Sequence, residues 1–213
     1  MINKWLSYCS YMESPKLVHK WTWFFLLSAA LKRNVWLEWD QKIFPNFYLM
    51  IVAPAGMRKT SSMQVAKNIL QDLDLIQLAP DAITREELIR QMAKTGKKNL
   101  EDLTEPLSDM CIMATEAATI LNKDQAKLLD DLLPLYDCPR KWSYETKNSG
   151  RDRMENAFMH IMGATTPEQL GKVLPEKVTG SGLLSRFVSI YYDRLEKIVT
   201  FPGEIRKNDE GLS

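Results

Sequence analysis

The sequence predicts an α/β domain: a mostly parallel central sheet flanked by helices, with an N-terminal helical element ahead of it. Three observations carry that expectation. A chain of 213 residues with 45% hydrophobic content can bury one full core plus an accessory element. Apolar runs of strand length at 47–53, 110–114 and 157–164 alternate with stretches of helical periodicity. The first run, Phe47 to Ala53, is almost unbroken, as expected of a strand covered on both faces.

Taken in order, residues 1–33 carry apolar residues at helical spacing, interrupted at Ser14-Pro15, where proline suits the first turn of a second helix from about Lys16 to Lys32. Trp5, Trp21 and Trp23 sit in this apolar setting and read as core rather than as a base-stacking platform. Asn34 to Trp39 reads as a strand and Asp40 to Asn46 as a turn into Phe47 to Ala53, so a hairpin is expected before the central strand. Thr60 to Leu73 follows with Met63, Val65, Ala66, Ile69, Leu70 and Leu73 at the spacing of a helix packed on a sheet. Leu75 to Ala79 reads as a short strand, Asp81 to Lys94 as a helix opened by a Thr84-x-x-Glu87 capping box, and Gly96 to Leu107 as a surface loop.

Met110 to Ala114 is the next strand, ending on Thr115-Glu116. Asp124 to Leu135 is predicted helical to near Pro134, Lys141 to Thr146 a strand, and Lys147 to Arg153 a charged turn. Ala157 to Ala164 is a third buried strand, finishing on Thr165-Thr166, with a short helix over Pro167 to Val173. Gly180-Ser181-Gly182 leads into a last strand, Leu183 to Tyr191, which carries Arg186. The expected organisation is a helical element with a lead-in strand at 1–45, a core at 46–201, and a polar tail at 202–213.

Composition excludes several classes. A net charge of +1 gives no global basic field, so a nucleic-acid contact would rest on local clusters such as Lys94, Lys97 and Lys98 or Arg140, Lys141, Lys147, Arg151 and Arg153. Such runs read first as solvated surface. Cys9, Cys111 and Cys138 lack CxxC spacing, and only His19 and His160 accompany them, which argues against zinc or a disulfide framework and suits a reducing cytosol. Both histidines lie in apolar settings and read as core. Trp21 to Leu31 is too short for a membrane span and lacks a signal-peptide pattern, so it is expected to be a buried helix of a cytoplasmic protein.

The chemistry concentrates after the first buried run. Pro54, Ala55, Gly56, Met57, Arg58, Lys59, Thr60 and Ser61 connect a strand to a helix in the layout of a phosphate-binding loop, whose backbone N–H groups and helix N-terminus face a polyphosphate. Against G-x-x-x-x-G-K-[ST], Ala53 stands at the first glycine, Arg58 at the second, and Lys59-Thr60 match. Arg58 must therefore fit the turn another way, either as a solvated residue or by adding its own charge at the phosphate. Glu116, leaving a buried strand where α/β folds place ligands, is the general-base candidate, or else a helix cap. Thr165 offers a hydroxyl near a γ-phosphate, or closes its strand for β-propensity alone. Arg186 is an arginine finger candidate or one half of a structural ion pair.

The segment from Ala53 to Thr60, Glu116 at a strand end, Gly163-Ala164-Thr165-Thr166-Pro167, and Gly180-x-Gly182-Leu183-Leu184-Ser185-Arg186-Phe187 together resemble the RecA-like P-loop ATPase domain of primase-helicase and replication proteins of phages, plasmids and other mobile elements. The resemblance covers about residues 16–193. It implies ATP and Mg²⁺ as cofactors, with Lys59 on the β- and γ-phosphates, Thr60 and Glu116 at the metal, Glu116 on the attacking water, Thr165 as the sensor, and Arg186 serving its own site or a neighbour's. Thr115 stands where many P-loop ATPases carry an aspartate. The implied partners are single- or double-stranded DNA and further copies of the chain in a ring, a hexamer among the candidates, within a bacterial or phage-infected cell. The implied activity is ATP hydrolysis coupled to DNA unwinding, translocation or remodelling. The alternative is a nonhydrolysing, nucleotide-gated DNA-binding or loader module.

Overall fold

The computed structural model describes residues 1–80, 83–101, 105–121, 126–146, 150–173 and 182–199. In chain order the elements are α1 (Ile2–Tyr8), α2 (Lys16–Leu31), β1 (Leu37–Glu38), β2 (Lys42–Ile43), β3 (Tyr48–Val52), α3 (Lys59–Asp72), α4 (Arg85–Glu101), β4 (Asp109–Ala114), α5 (Ala118–Leu121), α6 (Ala126–Tyr136), β5 (Lys141–Thr146), β6 (Gly150–Glu155), β7 (Phe158–Thr165), α7 (Pro167–Val173) and β8 (Phe187–Tyr191). A four-stranded, all-parallel sheet in the order β4-β7-β3-β8 forms the centre, flanked by helices. β3 is interior and buried at every position, which its unbroken apolar sequence requires.

Alternation along the strands divides the core into two layers. Tyr48, Met50 and Val52 face a cluster built with Leu88, Ile89 and Met92 of α4 and Leu128 and Leu132 of α6. Leu49 and Ile51 face the opposite cluster, with Phe25 of α2, Trp5 of α1, and Met63, Ala66 and Leu70 of α3. The N-terminal helices thus pack on the sheet itself. Trp5 is buried and donates its indole N–H to the His19 carbonyl at 2.7 Å. Among the described residues, no helix is long and apolar enough to cross a membrane. Cys9, Cys111 and Cys138 are free and buried, and burial pushes the thiols of Cys9 and Cys138 up to about 12.

Several elements differ from expectation for local reasons. The hairpin before β3 is β1 with β2, so its returning strand falls inside the predicted turn. Leu75 to Ala79 makes only an isolated parallel bridge, Leu78 to Cys111. Helix α4 runs through Gly96, where a loop was expected. A Cβ there would lie 2.6 Å from Ser108 Oγ, so this glycine permits close packing rather than breaking the helix. The capping box is half formed: Thr84 Oγ1 accepts the Glu87 N–H at 3.3 Å, while the Glu87 carboxylate turns to Arg90 and Gln91. α6 carries Pro134 in its last turn and ends at Tyr136. Gly150 to Arg153, predicted as turn, begins β6; the Asn148-Ser149 part of that turn lies outside the described residues. Gly180-Ser181 lies outside them too.

His160 of β7 is fully buried among Phe25, Phe47 and Phe158. The Ser28 hydroxyl donates its one proton to the Pro45 carbonyl, so His160 Nε2, 3.1 Å away, carries a hydrogen and donates to Ser28 Oγ. Burial pulls the imidazole pKa down to about 3, and burial lowers that of His19 as well. The sign follows directly. Below about pH 6.5 the unfolded chain binds protons that the folded chain refuses, so stability falls as pH drops toward 3. His160 contributes a slope of up to about 1.4 kcal/mol per pH unit in that window, and His19 acts in the same direction. Urea unfolding of wild type and His160→Asn across the window checks this: the variant should show the shallower dependence, and identical slopes would exclude His160 as a source.

Candidate functional site

Three of the four parts of the predicted site meet at the C-terminal end of the sheet. The ladder continues past the strands there: Ala53 N–H donates to Thr165 O at 3.2 Å, Ala117 N–H to Ala164 O at 2.7 Å, and Tyr192 N–H to Val52 O at 3.2 Å. Those bonds fix the exits of β3, β7, β4 and β8 side by side. Gly163 permits the approach, since a Cβ on it would stand 3.2 Å from the Ala117 Cβ. Glu116 and Lys59 are close enough for their charges to interact.

The 53–58 loop is pinned from outside by groups that its own sequence does not announce. Tyr192 Oη donates to Met57 O at 2.6 Å, and Ser14 Oγ to Arg58 O at 2.9 Å. Gly56 has φ +80°, and Arg58, at the α3 N-cap, has φ +51°, in the left-handed region. That is where the template places glycine, so the backbone keeps the glycine conformation despite the side chain. Arg58 Nε reaches Glu13 at 2.5 Å, and Glu13 also accepts the Val199 N–H at 3.0 Å. The Val199 N–H first, and then Arg58, hold the Glu13 carboxyl below its usual range. Arg58 thereby bonds neighbouring elements to the loop.

Within the loop, Lys59 Nζ donates to the carbonyls of Ala53 at 2.8 Å and Pro54 at 2.9 Å. Desolvation lowers its pKa, opposed by the charges of Glu116 and Glu168. Among the described residues, the N–H groups of Ala55, Gly56, Met57, Arg58, Lys59 and Thr60 meet no acceptor. The Ser61 N–H donates back to Arg58 O at 3.3 Å. Thr60 is exposed on the first turn of α3. A run of unpaired N–H groups, a helix N-terminus and an ammonium together favour an anion.

Glu116 is half-buried, and the Gln169 amide, with its nitrogen turned toward the carboxylate, donates to both oxygens, 3.2 Å to Oε2. Thr165 is buried, and its hydroxyl donates weakly to Thr166 O at 3.4 Å. Thr166 Oγ1 accepts the Gln169 N–H at 3.3 Å, which places Gln169 beside Glu116. Gln169, Tyr192, Ser14 and Glu13 are the residues sequence reasoning missed. Only Gln169, three positions past a Thr that precedes proline, carried a legible cue, that of a capped helix start.

Arg186 is not at a strand end with the others. It lies in the 3-10 turn Leu184–Arg186 that precedes β8, and Phe187 pairs with Tyr48, the first residue of β3. In an all-parallel sheet this is the opposite end from Lys59, roughly 15 Å away at the rise of a five-residue strand. There it donates to Gly182 O at 3.1 Å, approaches Asp137 at 3.7 Å and covers the Tyr136 ring at 5.5 Å. The apolar run Leu183 to Tyr191 hid this, because its first residues are packed without being strand. No protein-family model matches this chain, and comparison with curated proteins finds no match.

Proposed function

We propose that the chain is a RecA-like P-loop ATPase that couples Mg-dependent ATP hydrolysis to unwinding, translocation or remodelling of DNA during replication of a phage or another mobile element. The observation that carries it is Lys59 at the exit of the interior strand, inside a loop with six successive unpaired N–H groups. That donor set fits a nucleotide triphosphate. Lys59 would exchange the Ala53 and Pro54 carbonyls for β- and γ-phosphate oxygens, and Thr60 would hold the metal through its hydroxyl. Magnesium would supply charge neutralisation across the transferred group. Glu116, oriented by Gln169, would position and deprotonate the attacking water, with Thr165 beside it. Arg186, at the far end of its own sheet, would serve the site of a neighbouring copy in a ring.

DNA-stimulated phosphate release tests this with Glu116→Gln. Turnover should fall roughly a hundredfold or more while nucleotide binding persists. Unchanged turnover would remove Glu116 from the chemistry. A second reading, a nucleotide-gated loader that does not hydrolyse, draws on Thr115 at the position where a magnesium-binding aspartate is common. Nucleotide-dependent oligomerisation without phosphate release would favour it.

A further inference from the structure

At the other end of the sheet, before the first residues of β3, β4 and β7, lies an open groove of about 1240 Å³. We propose that this groove binds single-stranded nucleic acid, its phosphates on basic side chains and a base on Trp36. The inference rests on and deepens the ATPase reading, for which it proposes where the nucleic-acid partner binds, and its test uses no ATP.

Arg33 forms a half-buried part of the groove lining. Its guanidinium donates to Cys138 O at 2.6 Å and Ala157 O at 3.0 Å and covers the Phe44 ring at 3.9 Å. Among the described residues it has no carboxylate within ion-pair distance; Glu105 acts on its charge from farther off, and an anionic ligand would add a closer counter-ion to a cation partly withdrawn from water. On one wall, Lys42 lies 4.0 Å over the Trp36 ring, whose indole N–H is held by Glu38 at 2.8 Å. Trp36 remains 48% exposed, which leaves surface for a base to stack on.

Arg140 and Lys141 line the other wall, exposed and in no ion pair among the described residues, with Glu155 directly across the ladder from Lys141. The same face of the β5-β6 ribbon adds Arg153 and Arg151, with Glu145 directly across from Arg151. Of the remaining lining charges, Lys32 is committed to Asp109 and Asp137 to Arg186. That leaves Arg33, Lys42, Arg140 and Lys141 against Glu105 and Glu155, a positive balance. A duplex hides its base faces, so an indole beside cations fits an unpaired strand better. An acidic peptide would match the charge but gain little from the indole.

Fluorescence anisotropy with a labelled oligothymidylate of about 15 nucleotides tests the proposal. Arg140→Glu with Lys141→Glu should weaken binding roughly a hundredfold, and the salt slope should shrink by about 0.7 per cation removed. Trp36→Ala should weaken it about tenfold, with Trp36→Phe restoring most of the loss. These side chains are exposed, and unchanged far-ultraviolet circular dichroism confirms that the variants fold. Affinity equal to wild type in both variants overturns the proposal. So does competition by duplex DNA or polyglutamate as strong as by unlabelled single strand. Either failure leaves the turnover tests of Glu116 and Lys59 standing, because those read the opposite end of the sheet.

Discussion

A Lys59→Ala variant is expected to lose ATP turnover by at least about a hundredfold, equivalent to roughly 3 kcal/mol of transition-state stabilisation. The ammonium sits where the interior strand ends, partly withdrawn from water, and at present satisfies only two carbonyls of its own loop. Carbonyls are weak partners for an ammonium compared with the oxygens of a triphosphate, so the lysine has more to gain from a ligand than from the loop. Tyr192 and Ser14 still anchor the loop backbone in the variant, so the fold should survive and the deficit should fall on nucleotide binding and turnover. Equal turnover in wild type and Lys59→Ala would sink the enzymatic reading. Thermal melting of both proteins separates loss of function from loss of fold.

The second large effect is on stability. Lys32 Nζ meets Asp109 at 2.5 Å, and the Asp109 side chain is only 3% exposed at the start of β4. Burial raises the Asp109 pKa, and Lys32 works against that rise. Lys32→Met would leave a carboxylate inside the fold without its counter-charge, at a cost of about 3 kcal/mol. Replacing both, as Lys32→Met with Asp109→Leu, should recover most of the loss, because an apolar pair needs no compensation. The sign of the pH dependence provides a further check. A carboxyl whose folded pKa is raised favours the folded state below its unfolded value, and that stability is lost as pH rises through the folded value. The Lys32→Met deficit should therefore be smallest in acid. Denaturant unfolding of the single and double variants decides it; a single variant within about 0.5 kcal/mol of wild type would show that the pair contributes little.

How much was legible differs from element to element. The interior strand, its following helix and the strand ending at Thr165 could be read because burial on both faces demands unbroken apolar runs, and a packed helix demands three- and four-residue spacing. The β1-β2 hairpin was misplaced because its exposed two-residue strands carry no burial pattern. Gly96 misled because a glycine that admits a neighbour's side chain and a glycine that ends a helix look the same in one dimension. The basic clusters suffered likewise. Arg33 and Lys42 lie far along the chain from Arg140 and Lys141, and only folding brings them to one groove.

By itself the sequence determined the α/β class, the position of the interior strand and the loop from Ala53 to Thr60 with Lys59 at its end. These follow from local periodicity and from residue types whose chemistry is their own. Tertiary structure alone decided which strand ends stand together, that Gln169 and Tyr192 support Glu116 and the loop, and that Arg186 faces away from them. The physical reason is strand direction. In an all-parallel sheet, residues before a strand and residues after it occupy opposite ends, and an apolar run does not say which of its residues begin the strand.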